Sequence, residues 1–301
     1  MKKQPGKRMQ KTGTKTTVFV VLVFVVGLSL LLYPTVSNYI NTRHQASAIQ
    51  DYTQQIQQAG KDRNEAEFAA AQAYNRSLLE QENTFLNSKE QLEQYNALLN
   101  TSNNGVMAYL EIPVLDTSLA VYHGTDDEVL QVAIGHLEWT SLPVGGESTH
   151  CVVSGHRGLP SAELLTNLDR MEVGDRFYIH VLGETLEYKV DNIAVVLPED
   201  ISLLGITEGE DYVTLLTCTP YGVNSHRLLV RGTRVHTEVG AGDQPTIDVS
   251  DEVREIGIGY LVAGGVLAIV VLIFIGLVIA AKYKKRKKGG KRLIENQEAW
   301  F

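Results

Sequence analysis

Two long apolar segments divide this chain and decide which part of it can fold as a globular domain. Val18–Tyr33 is an unbroken run of 16 residues of low polarity, and Ile256–Ala281 runs for 26 residues without a charge. A helix needs about 20 apolar residues to cross the hydrocarbon core of a bilayer, and the second run exceeds that length. We expect membrane spans over residues 18–40 and 256–281, with a folded domain between them.

The basic residues that flank these spans predict their orientation. Six Lys and Arg residues lie in the tail 1–17, and eight lie in the tail 282–301. Basic flanks stay in the cytoplasm, so we expect both termini there and residues 34–255 outside the cell membrane. We expect the first span to persist as a signal anchor. The alternative is a cleaved signal peptide, although the small-residue site Ala46-Ser47-Ala48 lies well past the apolar run.

The part of the chain between the two tails is strongly acidic. It carries 13 Lys and Arg against 33 Asp and Glu, a net charge of −20. A domain that binds nucleic acid through its phosphates needs the opposite sign of charge. Nucleic acid is therefore excluded as a partner, whereas the membrane is an expected one.

The composition changes sharply at residue 105. Residues 41–104 are polar with helical spacing of their apolar residues, which predicts a helical stalk and possible lid with helices near 45–59 and 62–82. Residues 105–236 alternate short β-type runs with turn signals, and residues 237–255 form an acidic linker. The predicted strands are Val106–Ile112, Leu119–Tyr122, Cys151–Ser154, Arg176–Val181, Leu186–Leu197, Tyr212–Thr217 and Arg227–His236. Short helices are predicted at Asp127–Gln131 and Ala162–Asp169.

This density of strands with little helix indicates a mainly β fold, either a closed barrel or a sandwich. Two cysteines accompany it. Cys151 lies within an apolar run, where a small buried residue is the ordinary occupant. We expect it to be free and buried, although a disulfide with Cys218 would also be possible and would block the chemistry described next.

A cysteine, a histidine and an arginine stand at the ends of predicted strands. Cys218 closes one strand, Arg227 opens the next after a short turn, and His156 follows an upstream apolar run. A thiolate is a strong nucleophile, a histidine can protonate a leaving amine, and an arginine is a permanent cation for a developing oxyanion. These residues predict a cysteine transpeptidase. The other histidines lack zinc-site spacing, so we expect neither metal nor cofactor.

Residues 106–236 resemble a sortase, because the Thr-Leu-x-Thr-Cys signature stands at Thr214–Cys218. The resemblance implies an eight-stranded β-barrel, with Cys218 as nucleophile, His156 as general acid and base, Arg227 as the essential arginine and Thr217 as a supporting residue. The second span and several longer motifs are similar to class C, the pilin-assembling sortases of Gram-positive bacteria. Those motifs are Gly135–Glu138, Gly145–His150, Gly155–Pro160 and Cys218–Tyr221.

The class C resemblance implies a reaction at the cell surface. An LPxTG-like sorting signal would be cleaved between Thr and Gly, and the thioacyl enzyme would be resolved by a lysine amine of another pilin subunit. One alternative is transfer to a cell-wall peptide amine, and a second is a non-catalytic membrane-anchored binding domain. Class C sortases commonly carry an Asp-Pro-aromatic lid, and no Asp-Pro occurs in residues 41–104. Phe85 is the best candidate for a lid residue, and packing at a helix end is its alternative role.

Overall fold

The computed structural model describes residues 14–80, 88–101, 104–235 and Gly276. Phe85, the acidic linker and, apart from Gly276, the expected second span lie outside these ranges. The chain divides into two compact units, Met1–Tyr33 with Arg254–Phe301 and Pro34–Val253.

The described part of the first unit is apolar and helical. Among the described residues, one helix is long and apolar enough to cross a membrane, and that stretch is Leu22–Ala59. Large side chains such as Phe19, Leu30 and Leu31 are 66%, 71% and 79% exposed. Because apolar side chains exposed around a helix suit a lipid environment, this segment is compatible with a membrane anchor.

The second unit is a β-barrel with helices packed against it. The helices are α1 (Thr14–Ala59, which begins in the first unit), α2 (Lys61–Leu78), α3 (Lys89–Ala97) and α4 (Asp127–Leu130). The strands are β1 (Val106–Ile112), β2 (Thr117–His123), β3 (Ile134–His136), β4 (Thr149–Ser154), β5 (Arg176–Val181), β6 (Glu184–Val196), β7 (Asp211–Thr219) and β8 (His226–Arg234).

The eight strands close on themselves in the order β1-β2-β3-β4-β7-β8-β6-β5, which confirms the barrel and excludes the sandwich. The pairs β2–β3 and β4–β7 are parallel, and the other pairs are antiparallel. Side chains alternate between the two faces of each strand. Along β7, Val213, Leu215 and Thr217 are at most 1% exposed and fill the interior, whereas Leu216 and Cys218 lie on the outer face.

The helical segment that precedes the barrel shares its core. Ile49, Tyr74 and Tyr95 belong to the same buried cluster as the barrel interior. Two side chains join these helices to the barrel backbone. The Tyr52 hydroxyl donates to the Met107 carbonyl at 3.1 Å, and the buried Asn75 amide bonds both the N–H and the C=O of Leu142, at 2.7 and 3.0 Å. Although this segment is polar in composition, its helices therefore pack against the barrel and cover part of it.

The structure corrects one predicted helix and adds one strand. Ala162–Asp169 forms a series of turns followed by a 3₁₀ turn at Leu168–Arg170, so the helix predicted there is wrong. Leu164 adopts φ +42°, which lies outside the right-handed helical region. The strand β3 was not predicted because three residues carry no readable periodicity, and its pairing with β2 and β4 specifies it instead.

A tyrosine and a histidine attach α3 to the barrel. Tyr95 is fully buried, and its hydroxyl lies 2.9 Å from Nδ1 of His136. Because the Ser141 carbonyl, 2.8 Å from Nε2 of His136, can only accept, Nε2 carries the proton and Nδ1 accepts from Tyr95. Burial lowers the pKa of His136 to about 4, so the imidazole is neutral at physiological pH.

We predict that acid destabilises this unit through His136. Below its ordinary pKa of 6.5 the unfolded imidazole takes up a proton, whereas the folded one does so only near pH 4. The free energy of unfolding should therefore fall by about 3 kcal/mol from this group between pH 6.5 and pH 4. Urea titrations of the full chain in detergent micelles, followed by circular dichroism, measure the loss. In His136→Gln the loss should be smaller by about that amount, and an equal loss in both proteins would contradict the prediction.

Candidate active site

Two parallel strands carry the histidine and the cysteine to the same end of the barrel. Strands β4 and β7 pair in register, with Ser154 opposite Leu216, and the Gly155 N–H donates to the Leu216 carbonyl at 3.1 Å. Parallel strands advance at the same rate, so two residues beyond the Ser154–Leu216 pair one chain segment reaches His156 and the other reaches Cys218. Both side chains are half-buried. The structure thus brings together two residues that lie 62 positions apart.

A buried threonine holds the two backbones together at this point. Thr217 is fully buried, and its hydroxyl donates to the Gly155 carbonyl at 2.7 Å. Gly155 itself has no room for a side chain, because a Cβ there would lie 2.6 Å from Cγ2 of Ile134. Thr217, the predicted supporting residue, thus bonds the backbone that directly precedes His156.

The third predicted residue faces the cysteine across an antiparallel pair. In the β7–β8 hairpin, Arg227 is the direct partner of Cys218. Its Nη1 donates to the carbonyls of Asn224 and His226 at 3.4 and 3.3 Å. Within the described residues no hydrogen bond engages its Nε or Nη2, so these donors remain available to a bound molecule.

The second arginine of β8 has a different environment. Arg231 makes two hydrogen bonds to Asp191, at 3.1 and 2.7 Å, and its guanidinium lies 4.1 Å from the centre of the Tyr212 ring. Hydrogen bonding to Asp191 raises its pKa. The two arginines share a face of β8, but Arg231 is engaged within the protein.

An apolar cluster on the outer face of the barrel, here called the apolar surface beside Cys218, includes Leu216, which lies two residues from Cys218 on the same face of β7. Its buried members are Val152, Leu204 and Leu229, and partly buried residues pack against them, namely Leu137, Trp139, Ala194, Val196 and Leu216. The loop 197–210 contributes Leu204 to this cluster, and buried His150 fastens the loop, because its Nδ1 donates to the Gly205 carbonyl at 2.9 Å. Its Nε2 accepts from the Thr214 hydroxyl at 2.7 Å, and burial lowers its pKa, which keeps the ring neutral.

Sequence reasoning missed a second layer of contacts around the site. The Arg157 guanidinium donates to the Thr219 hydroxyl at 3.0 Å, and it also pairs with Asp169. The exposed ring of Tyr221 lies over Gly158, where a Cβ would come within 2.9 Å of the ring. The motif around His156 contains Arg157 and Gly158, but their partners are too distant in sequence to be recognised.

The second cysteine plays no part in this site. Cys151 is 3% exposed, both cysteines are free thiols, and burial raises the pKa of the Cys151 thiol. The expectation of a free, buried Cys151 is confirmed, and the thiol of Cys218 is not blocked. Over the ranges that the structure describes, no cluster of His, Cys, Asp or Glu could hold a metal ion.

Comparison with known proteins agrees with this geometry. The Sortase domain model matches residues 110–235. The sortase A of Staphylococcus aureus is 25% identical over 231 residues, which is 76% of this chain and 98% of that protein. The crystal structure of sortase C1 from Streptococcus agalactiae is 44% identical, with a TM-score of 0.62, and the match covers 64% of this chain and 100% of the other.

A further similar structure is sortase C of Streptococcus pneumoniae, studied for its catalysis and its pilin substrate specificity. It is 42% identical with a TM-score of 0.55, and the match covers 64% of this chain and 99% of the other. Matches of this identity along nearly the whole length of the two solved chains establish common ancestry together with a common fold. The chain therefore belongs to the sortase family of cysteine transpeptidases, and its similarity is to the class C, pilin-assembling members of Gram-positive bacteria.

Proposed function

We propose that this sortase cleaves an LPxTG-like signal between Thr and Gly and joins the new carboxyl group to a lysine of another pilin subunit. The observation that carries the proposal is the meeting of three strand ends. Cys218 faces Arg227 across the β7–β8 hairpin, and the parallel pairing of β4 with β7 delivers His156 to the same edge. This is the set of groups that acyl transfer through a thioester requires.

In the proposed first step, the Cys218 thiolate attacks the carbonyl carbon of the threonine in the signal. The tetrahedral intermediate collapses as the C–N bond to glycine breaks, and His156 gives its proton to the leaving amine. In the second step a lysine amine attacks the thioester and gives a proton to His156. The C–S bond then breaks, which releases the Cys218 thiolate and an isopeptide-linked product.

The arginine is suited to stabilise the charge that develops between these steps. Two hydrogen bonds from Nη1 orient Arg227 against the turn that precedes it. Its remaining N–H groups can donate to the oxyanion or to carbonyl groups of the signal, and a guanidinium keeps its charge throughout. We assign it this role.

The apolar surface beside Cys218 suits the leucine and proline of the signal. It begins at Leu216 and Leu229, two residues along the same face from Cys218 and Arg227. Burying two apolar side chains there would contribute a few kcal/mol of binding free energy, at roughly 1.5–3 kcal/mol for each. The acyl half of the substrate therefore lies along the outer face of the barrel.

We also propose that two membrane spans hold the catalytic unit outside the cell with both termini in the cytoplasm. The exposed apolar side chains of the first span and the basic residues that flank both apolar runs support this topology. A pilin anchored by its own membrane segment would then meet the enzyme at the same surface.

We predict that a thiol alkylator distinguishes the two cysteines of the native chain. Cys218 is half-buried and faces the outer surface, whereas Cys151 is buried with a raised pKa. Iodoacetamide at pH 7 should therefore give one adduct by mass spectrometry, mapped to Cys218. The Cys151→Ala protein should react at the same rate, and Cys218→Ala should stay unmodified until it is denatured. Modification of Cys151 before Cys218 would contradict this prediction.

Replacement of the proposed nucleophile and arginine should affect the reaction to different degrees. Mass spectrometry of the full chain with an LPxTG peptide should show a thioacyl adduct that is absent from Cys218→Ala. Arg227→Ala should lower kcat/KM by about 10²-fold, the typical effect of losing one oxyanion donor. Arg231→Ala is the matched control on the same face of β8 and should stay within threefold of wild type. Peptide cleavage by Cys218→Ala would overturn the proposed mechanism.

The nature of the acceptor is tested with a purified pilin. A pilin that carries both the signal and an acceptor lysine should form ladders that resist boiling in detergent. Replacement of that lysine by Arg should abolish the ladders while thioacyl formation continues. Exclusive transfer to a cell-wall peptide amine, without ladders, would instead establish an anchoring enzyme.

A further inference from the structure

A buried arginine bridges the loop that begins at His156 and the end of strand β7, which carries Cys218. The Arg157 side chain is only 8% exposed, and it donates in three directions. Nε reaches the Thr166 carbonyl at 3.1 Å, Nη1 reaches the Thr219 hydroxyl at 3.0 Å, and Nη2 pairs with Asp169. Thr166 and Asp169 lie in the turns at 162–170, whereas Thr219 is the last residue of β7.

Arg157 and its acceptor Thr219 are the immediate neighbours of the two proposed catalytic residues. Arg157 follows His156 directly, and Thr219 follows Cys218 directly. Backbone pairing between β4 and β7 ends with the bond from Gly155 N–H to the Leu216 carbonyl. Beyond this last backbone bond, the Arg157–Thr219 hydrogen bond joins the loop after His156 to the end of β7.

The loop that follows His156 is also held from its other side. The Thr166 hydroxyl accepts from the Gly158 N–H at 3.1 Å, while the Thr166 carbonyl accepts from Arg157. These bonds tie residues 157 and 158 to the turns at 162–169, where a helix was expected from the sequence. The loop is thus anchored by Arg157 to a turn on one side and to the cysteine strand on the other.

Only an arginine side chain satisfies this position. Removing a cation from water is costly, and several well-aligned hydrogen bonds are needed to offset that cost. The planar guanidinium supplies donors in fixed directions, whereas lysine is a compact charge on a flexible stem. A group that needs so many partners to be stable will also fix the separation of those partners.

We propose that Arg157 is a positioning residue that holds the His156 imidazole in register with the Cys218 thiol by bonding Thr219. This inference rests on the proposed roles of His156 and Cys218. Arg157 acts through the loop after His156 and the end of β7, and it touches no reacting atom. Because His156 transfers a proton in both steps, loosening this connection should slow both thioester formation and its resolution.

The binding of the sorting signal should be little affected. Arg157 is not among the residues of the apolar surface beside Cys218, which is formed by other side chains. Loss of the arginine should therefore lower kcat and leave KM nearly unchanged. Loss of a residue that served only the general stability of the fold would not lower kcat selectively while KM stays unchanged.

A double-mutant cycle on the full chain in detergent micelles tests the proposal. Arg157→Ala should lower kcat for LPxTG-peptide cleavage by roughly 30-fold with KM within threefold of wild type. Thr219→Val removes the hydroxyl acceptor at nearly constant shape and should lower kcat by about fivefold. The double variant should be no slower than Arg157→Ala alone, because both changes break the same hydrogen bond.

The controls separate this inference from the rest of the mechanism. Arg176→Ala breaks an arginine–carboxylate pair with Glu187 on β5 and β6, and kcat should stay within twofold of wild type. Thermal unfolding by circular dichroism verifies that each variant is folded, and Thr219→Val supplies the test if Arg157→Ala is not. Multiplicative losses in the double variant, or a raised KM at unchanged kcat, would overturn the positioning role. Failure of the proposed function would appear differently, as wild-type cleavage that survives Cys218→Ala.

Discussion

The parallel pairing of β4 with β7 is the constraint on which the rest of the structure depends. Parallel neighbours require a long crossover, and here the crossover contains β5 and β6. These two strands pair with β1 and β8 and so complete the ring. Closure of the barrel and assembly of the site therefore follow from one pairing. A slip of one residue would turn Cys218 into the interior and place Thr217 outside, which would abolish the site.

Polar side chains extend this order beyond the sheet. Asn75 bonds both backbone groups of Leu142, much as a neighbouring strand would, and it orders the connection between β3 and β4. Tyr95 and His136 attach α3 in a similar way. A buried polar group costs stability unless it is bonded, so each such pair defines one geometry rather than many. The helices that precede the barrel are consequently part of its scaffold.

The sequence predicted the features that local chemistry determines. Strands such as β1 and β5 were recognised from their composition, and Cys218, His156 and Arg227 stood out as chemically distinctive residues at strand ends. Contacts between distant segments were less accessible. The bonds of Arg157 reach an acceptor 62 residues away, and its other two acceptors lie in the region wrongly predicted as a helix. The prediction that His156 lies close to Cys218 rested on the family resemblance more than on the spacing of the two residues in the sequence.

The alternation of side chains along β7 and β8 has a consequence for how such an enzyme can change. Residues that maintain the interior, such as Leu215 and Val230, alternate with residues of the outer face, such as Leu216 and Leu229, where we propose that the sorting signal binds. Selection for stability and selection for substrate choice therefore act on interleaved but separate positions. Under the proposed function, a lineage of these enzymes could acquire new sorting signals through single substitutions on one face, while the folded scaffold is inherited unchanged on the other.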